Sequence, residues 1–190
     1  MAAPRPANRG PKAAPGNRAA LIRAARMVFA ENGFDVPLSS IARAAGVGQG
    51  VLYRHFPTRE SIALAVFEEN IGEVEAIAAD PETTVDHVLE VIVAQLAASA
   101  AFVAMLDPTG TDDPRIFDVA SRLVDLISRK LEDPDRRGAM RAEVTSSDVV
   151  MAVAMLAAIL TKTDPSSRAD VAGRAWSLLE RGLHGDRDAR

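Results

Sequence analysis

The sequence predicts an all-α protein in which a three-helix helix-turn-helix domain precedes a larger helical domain. Leu38, Ile41, Ala42 and Ala45 recur at the spacing of one helical face. Gly46 then interrupts this pattern, as expected at the short turn of a helix-turn-helix. Along the remainder of the chain, Pro and Gly separate helix-sized segments, and no alternating strand pattern of useful length occurs.

The helix boundaries of the first domain are predicted from residues that typically begin or end helices. Residues 1–16 are rich in Pro, Ala and Gly, which predicts a disordered basic arm, and residues 17–60 form the helix-turn-helix domain. The first helix is expected from Asn17, a suitable N-cap, to Asn32, because Gly33 can end it. Pro37 is expected at the first position of the second helix.

The third helix, the one expected to face DNA, should run from about Gln49 to His55 and end before Pro57. Leu52 and Phe56 are assigned to the core. Thr58 is a suitable cap for a fourth helix that extends to about Ala79.

Residues 61–190 are expected to form the second domain. After the fourth helix, four more are predicted. The first two are 84–106 and 114–131. The third begins at a cap, Ser146 or Ser147, and extends to Thr161, and the last is 167–183, which Gly185 ends. The helix before last is apolar on all sides, so it must be buried on all sides. This helix and the last helix, packed side by side and facing their copies in a second subunit, would form a four-helix dimer interface, although a central helix in a monomer core has the same pattern.

Composition and charge exclude several classes of protein. The chain has no cysteine, which excludes disulfides and thiolate chemistry. The longest apolar run, 149–160, is too short to span a bilayer, and the start has no signal peptide pattern, so a cytoplasmic protein without membrane contact is expected. Residues 1–60 have nine bases and three acids, whereas the remainder has 13 bases and 23 acids. A basic segment on an acidic body favours a local polyanionic partner.

The first third of the chain resembles the TetR family of transcriptional regulators. The similarity lies in MVFAENGFDV and IARAAGVGQGVLYRHFPTRESI and covers about residues 18–66. The resemblance implies a DNA-binding domain followed by a helical domain for ligand binding and dimerisation. Two positions depart from the family pattern: Gly48 and Pro37 replace hydroxyl-bearing caps, which removes two potential phosphate contacts.

The resemblance and the base-edge chemistry of DNA together assign roles in the motif. Tyr53, His55 and Arg59 are expected to contact phosphates. Gln49 can pair with adenine, and Arg54 can reach guanine or a phosphate. The remaining candidates are Val51 against a thymine methyl group, Ser39 and Arg43 against phosphates, and Gly50 as a point of close approach. The N-terminal arm, with Arg5, Arg9 and Lys12, either enters a minor groove or makes no specific contact.

The resemblance also implies a cavity in the second domain for an unknown small apolar or amphipathic ligand, with no cofactor and no metal. The apolar candidates for its lining are Phe67, Ile71, Leu96, Phe102, Met105, Phe117, Leu123, Met151 and Met155. His87, Gln95 and Trp176 are possible polar contacts. All of these residues are also compatible with an ordinary core.

The resemblance predicts a homodimeric regulator that binds a palindromic operator and is released by a ligand. Repression is the expected effect, and activation is the alternative. An enzyme is disfavoured because the three histidines are scattered and no nucleophile or phosphate-loop motif occurs. A helical scaffold that has lost DNA binding is disfavoured because Arg54, His55 and Arg59 remain.

Overall fold

The computed structural model describes residues 14–99 and 114–184. These residues form eight α-helices and no β-strand, which confirms the all-α prediction. One isolated antiparallel bridge joins Met140 to His184. The helices are α1 (Ala14–Asn32), α2 (Leu38–Ala44), α3 (Gln49–His55), α4 (Arg59–Ala78), α5 (Val85–Ala98), α6 (Pro114–Glu132), α7 (Ser146–Leu160) and α8 (Arg168–Leu183).

Two glycines set the turns of the N-terminal three-helix unit. Gly33 ends α1 with φ +82°, and Gly46 links α2 to α3 with φ +67°, a region that residues with a Cβ rarely adopt. The Gly46 N–H donates to the Arg43 carbonyl at 3.1 Å, which closes the last turn of α2. Leu52 and Phe56 are buried, as expected, so α3 packs its inner side against the core and leaves its outer side free.

Helix α4 connects this unit to the remainder of the molecule. Thr58 and Ser61 form a reciprocal capping box: the Ser61 N–H donates to Thr58 Oγ1 at 3.1 Å, and the Thr58 N–H donates to Ser61 Oγ at 3.2 Å. Helix α4 packs against α1 and also against α5 and α6. A movement of α4 therefore affects both halves of the chain.

Asp86 at the start of α5 holds together three distant parts of the second half. One carboxylate oxygen accepts from the Ala139 N–H at 2.7 Å, and the other lies 2.8 Å from Nε2 of His184, just after α8. Gly138, with φ +68°, leaves space for this carboxylate, because a Cβ there would lie 2.0 Å from Asp86 Oδ2. The loop before α7 is thus fixed to the ends of α5 and α8.

Several helix boundaries differ from the sequence predictions. The chain is already helical at Ala14, so Asn17 lies inside α1 rather than at its cap; Pro15 is tolerated because first-turn N–H groups need no helical partner. Pro37 is the N-cap of α2 and not its first residue. Helix α5 ends at Ala98 instead of Leu106, because the backbone of Ser99 is extended.

The cap of α7 also differs from the prediction. Thr145, rather than Ser146 or Ser147, is the N-cap, because Asp148 lies three residues further on and completes a capping box. Asp148 Oδ2 accepts from the Thr145 N–H at 2.9 Å and from the Thr145 hydroxyl at 2.7 Å. These bonds lower the pKa of Asp148 from its ordinary value, with the side-chain bond to Thr145 as the largest cause.

Helix α7 is not buried on every side within one chain. One side packs on α6 and α8, whereas the opposite side exposes large apolar residues. The neighbouring α8 also exposes one large apolar residue. The exposed apolar residues of these two helices are Val150, Met151, Met155, Ile159 and Leu178. Among the described residues, no helix is both long enough and apolar enough to cross a membrane.

Candidate DNA-binding surface

The outer side of α3 presents polar side chains to solvent. Gln49 and Arg54 are exposed, and Tyr53 exposes 50% of its surface although it is aromatic. Val51 and His55 are partly exposed. Leu52 alone of the seven residues is buried, so one apolar residue fixes the helix and its neighbours remain free for an external partner.

The α2–α3 turn allows a close approach of another molecule. Gly48 is the N-cap of α3 without a side-chain cap, as expected from its lack of a hydroxyl. No atom outside its own neighbourhood lies within 4 Å of a Cβ built at Gly48 or at Gly50. The backbone of the first turn of α3 is therefore open. On α2, Arg43 is exposed and Ser39 is partly exposed, so both can reach a ligand beside α3.

Arg59, which is expected to contact a phosphate, is paired within the chain. Its Nη1 donates to Asp35 Oδ1 at 3.0 Å, and its guanidinium lies 5.7 Å from the centroid of the Phe34 ring. Gly33 makes this possible, because its left-handed turn returns Phe34 and Asp35 towards the start of α4. Arg59 is thus oriented before any DNA arrives, with donors remaining for a phosphate.

Arg18 belongs to the same surface and was not anticipated. Its guanidinium lies 5.4 Å from the centroid of Phe56, the residue that ends α3. A cation on the face of an aromatic ring next to α3 adds positive charge beside the surface expected to face DNA. The sequence signal was weak: Arg18 follows Asn17, which the N-cap interpretation had placed at the start of the helix.

The chemistry available on this surface is hydrogen bonding and charge. Around α2 and α3 it offers guanidinium, amide, imidazole and phenol groups. Among the described residues, no group of three or more His, Asp or Glu side chains could hold a metal ion. Such a surface suits recognition of a polyanion with patterned hydrogen-bond groups.

The residues expected to line a ligand cavity divide into three groups. Phe67 and Ile71 are buried on α4, Leu96 on α5 and Leu123 on α6. Phe102 and Met105 lie outside the described residues. The interior position expected for the other three is wrong: Phe117, Met151 and Met155 are exposed, because each lies on the side of its helix that faces away from the chain's own core.

The three possible polar contacts of a ligand differ in burial and in hydrogen bonding. His87 is exposed and lies 3.2 Å from Glu90. Trp176 is buried on α8. Gln95 is partly buried and bonds to α4 through its amide nitrogen. Met151 and Met155 line a surface groove of about 370 Å³ between α7 and α8.

Comparisons with known proteins agree with this geometry. Residues 21–66 match the family model "Bacterial regulatory proteins, tetR family". The Fatty acid metabolism regulator protein of Bacillus subtilis is 41% identical over 54 residues, a match that spans 28% of this chain and 28% of that protein.

Solved structures extend the likeness to most of the chain. The TetR transcriptional regulator SCO0520 from Streptomyces coelicolor superposes with a TM-score of 0.55 at 26% identity, covering 89% of this chain and 99% of that one. The transcriptional regulator FadR from Bacillus subtilis, in complex with stearoyl-CoA, shares the fold with a TM-score of 0.54 at 21% identity, covering 87% and 99% of the two chains. Residues 21–66 therefore form a DNA-binding domain of the TetR family type, and most of the chain shares the fold of a TetR transcriptional regulator.

Proposed function

We propose that this protein is a one-component repressor that binds a palindromic operator as a homodimer and leaves it when a small molecule binds the second half of the chain. The observation that carries this proposal is the outer side of α3, where Gln49, Tyr53 and Arg54 are exposed beside an open first turn. A helix of this size with such donors fits the major groove.

The residues of this surface have separate tasks in the proposal. Gln49 forms bidentate hydrogen bonds with an adenine, and Val51 contacts a thymine methyl group. Tyr53, His55 and Arg59 hold phosphates and so fix the register of α3 along the groove. Ser39 and Arg43 contact the backbone from α2, and Arg54 reaches a guanine or a further phosphate. Arg18 adds a positive charge beside Phe56.

The homodimer is proposed from the exposed apolar side of α7 together with Leu178 of α8. Soluble monomers rarely leave a contiguous apolar surface of this kind uncovered. A second copy related by two-fold symmetry would cover it with the same residues, since such an interface is self-complementary. Two α3 helices would then face DNA together, and their half-sites should lie about 34–36 Å apart, one turn of the double helix.

The ligand is proposed to be a small apolar or amphipathic molecule held near Phe67, Ile71 and Leu96. These side chains are buried on α4 and α5, and α4 also contacts α1. The similar FadR of Bacillus subtilis was solved with stearoyl-CoA, which supports an apolar ligand in a protein of this fold. Such a ligand releases DNA only if it binds the DNA-free arrangement more tightly.

The test is fluorescence-anisotropy titration of DNA from upstream of the protein's own gene at several salt concentrations. The wild type should bind tightly, with an affinity that falls as salt rises by about 0.9 log units per log unit for each neutralised phosphate. A Tyr53→Ala/His55→Ala variant should lose this binding. The control is His87→Ala, which removes an exposed histidine on α5 and should bind as the wild type does.

Two other results would contradict the proposal. Equal, weak binding of the wild type and the double variant to this DNA and to unrelated DNA, with no sequence enriched from a random pool, would mean that α3 does not recognise an operator. Tight binding that the double variant retains would place the DNA contact elsewhere on the molecule.

A further inference from the structure

Buried polar atoms without a hydrogen-bond partner concentrate where α1, α4 and α5 meet. Within the described residues five such side-chain atoms occur, and four lie here: Nε and Nη2 of Arg26, Nδ2 of Asn70 and Oε1 of Gln95. Asn70 exposes only 2% of its surface. Buried polar atoms are normally paired, so a cluster of unpaired ones requires a reason.

The same residues form a hydrogen-bonded chain across three helices. Arg26 Nη1 on α1 donates to Glu73 Oε1 on α4 at 2.6 Å. Gln95 Nε2 on α5 donates to the other oxygen of Glu73 at 3.2 Å and to the Asn70 carbonyl at 3.1 Å. Arg26 also lies 3.6 Å from Glu69 Oε2. Glu73 therefore joins the DNA-binding unit to α5 through its two carboxylate oxygens.

Two side chains in this hydrogen-bonded chain carry a polar atom without a partner. The Gln95 amide nitrogen divides its hydrogens between two acceptors, while its oxygen has no partner. The Asn70 amide nitrogen also lacks an acceptor. A partly satisfied polar network gains from any group that supplies the missing partners. A group that accepts from Gln95 Nε2 in place of Glu73, or whose donor draws Gln95 Oε1 away from its present position, would turn the Gln95 amide and so weaken its bond to Glu73.

We propose that Gln95 and Glu73 are the polar link through which the α4–α5 interior controls the position of α1, and with it the DNA-binding unit. This inference rests on the proposed function. With the link intact, Glu73 holds Arg26 and α1 in the arrangement that binds DNA. A ligand that turns the Gln95 amide frees Glu73, and Arg26 then no longer fixes α1 against α4. Glu73 is thus a positioning residue, since it acts through Arg26.

The second carboxylate–guanidinium pair of α4 provides a matched control. Glu75 lies two residues from Glu73 but pairs with Arg122 of α6, away from α1. Glu75→Gln therefore removes the same charge from the same helix without touching the link. Gln95→Met tests the link itself, because methionine is similar in size but cannot donate to Glu73. Glu73→Gln is a second test variant at a half-exposed position where folding should not suffer.

The experiment combines operator affinity with hydrogen exchange of the α1 amides, both measured without ligand. Gln95→Met and Glu73→Gln should weaken operator binding about threefold to tenfold, in line with measured coupling effects, and should accelerate exchange in α1. Glu75→Gln should leave both quantities unchanged. In an Arg26→Gln background, Gln95→Met should have no further effect, because the link is already broken.

Two results would overturn the inference. Gln95→Met and Glu73→Gln could behave like Glu75→Gln in both measurements, or the effects of Arg26→Gln and Gln95→Met could simply add. Failure of the proposed function is a separate result, because then the wild type itself would bind no operator. The exchange of α1 would still report whether Gln95 controls that helix.

Discussion

The exposed side of α7 predicts that one charged residue there separates the proposed dimer into monomers. Met151 exposes 57% of its surface in the single chain. Full burial of a methionine contributes roughly 1.5–3 kcal/mol, so covering the exposed half contributes about 1 kcal/mol per copy and about 2 kcal/mol per dimer. Met151→Glu removes this contribution and also places two carboxylates in the interface without partners, where each unpaired charge costs several kcal/mol.

The total loss should reach about 4 kcal/mol or more, which corresponds to a roughly thousandfold higher dissociation constant. Sedimentation velocity at micromolar protein should then show a dimer for the wild type and a monomer for Met151→Glu. The control is Met27→Glu on α1, because Met27 has almost the same exposure, 56%. This variant should remain dimeric. A dimer that survives Met151→Glu, or one that Met27→Glu also abolishes, would refute the assignment of the interface to α7.

Three further predictions concern local structure. Gly46→Ala should lower the free energy of unfolding by roughly 1–2 kcal/mol in urea titrations, because the φ of +67° strains any residue with a Cβ. Gly50→Ala should raise that free energy by up to ~1 kcal/mol through helix propensity, yet weaken operator binding in the anisotropy assay, because its Cβ stands on the open turn of α3. Asp148→Asn should destabilise the protein at pH 7. The lowered pKa of Asp148 means that its contribution is present above the unfolded-state pKa and is lost as pH falls through the folded-state pKa. The urea midpoints of wild type and Asp148→Asn should therefore converge in acid.

The N-terminal unit could be predicted closely because its signals are local. Gly46 and Gly48 indicate where α3 begins, and Pro57 indicates that α3 ends before it. The observed range, Gln49–His55, equals the predicted one. Thr58 was also identified as a cap. The cap of α7 was wrongly expected at Ser146 or Ser147, because these residues and Thr145 all carry a hydroxyl and only the reciprocal bond with Asp148 distinguishes Thr145.

The features that depend on tertiary contacts could not be predicted from the sequence. The Asp35–Arg59 pair joins residues 24 positions apart, and the bond from Arg26 to Glu73 spans 47. No periodicity encodes such distances. The exposure of Met151 was missed for a different reason: an entirely apolar helix has no polar side to mark its direction, so only packing shows which residues face outward.

Selection of binding sites from random-sequence DNA by the wild type and by Gln49→Ala would show directly whether α3 reads an operator. The wild type should select a palindromic site with half-sites about one helical turn apart. Gln49→Ala should lose the preference for adenine at one position of each half-site and keep the others, because Gln49 is the residue proposed to pair with that base. An identical site selected by both proteins, or no enriched sequence for the wild type, would contradict the assignment of α3 as the helix that recognises DNA.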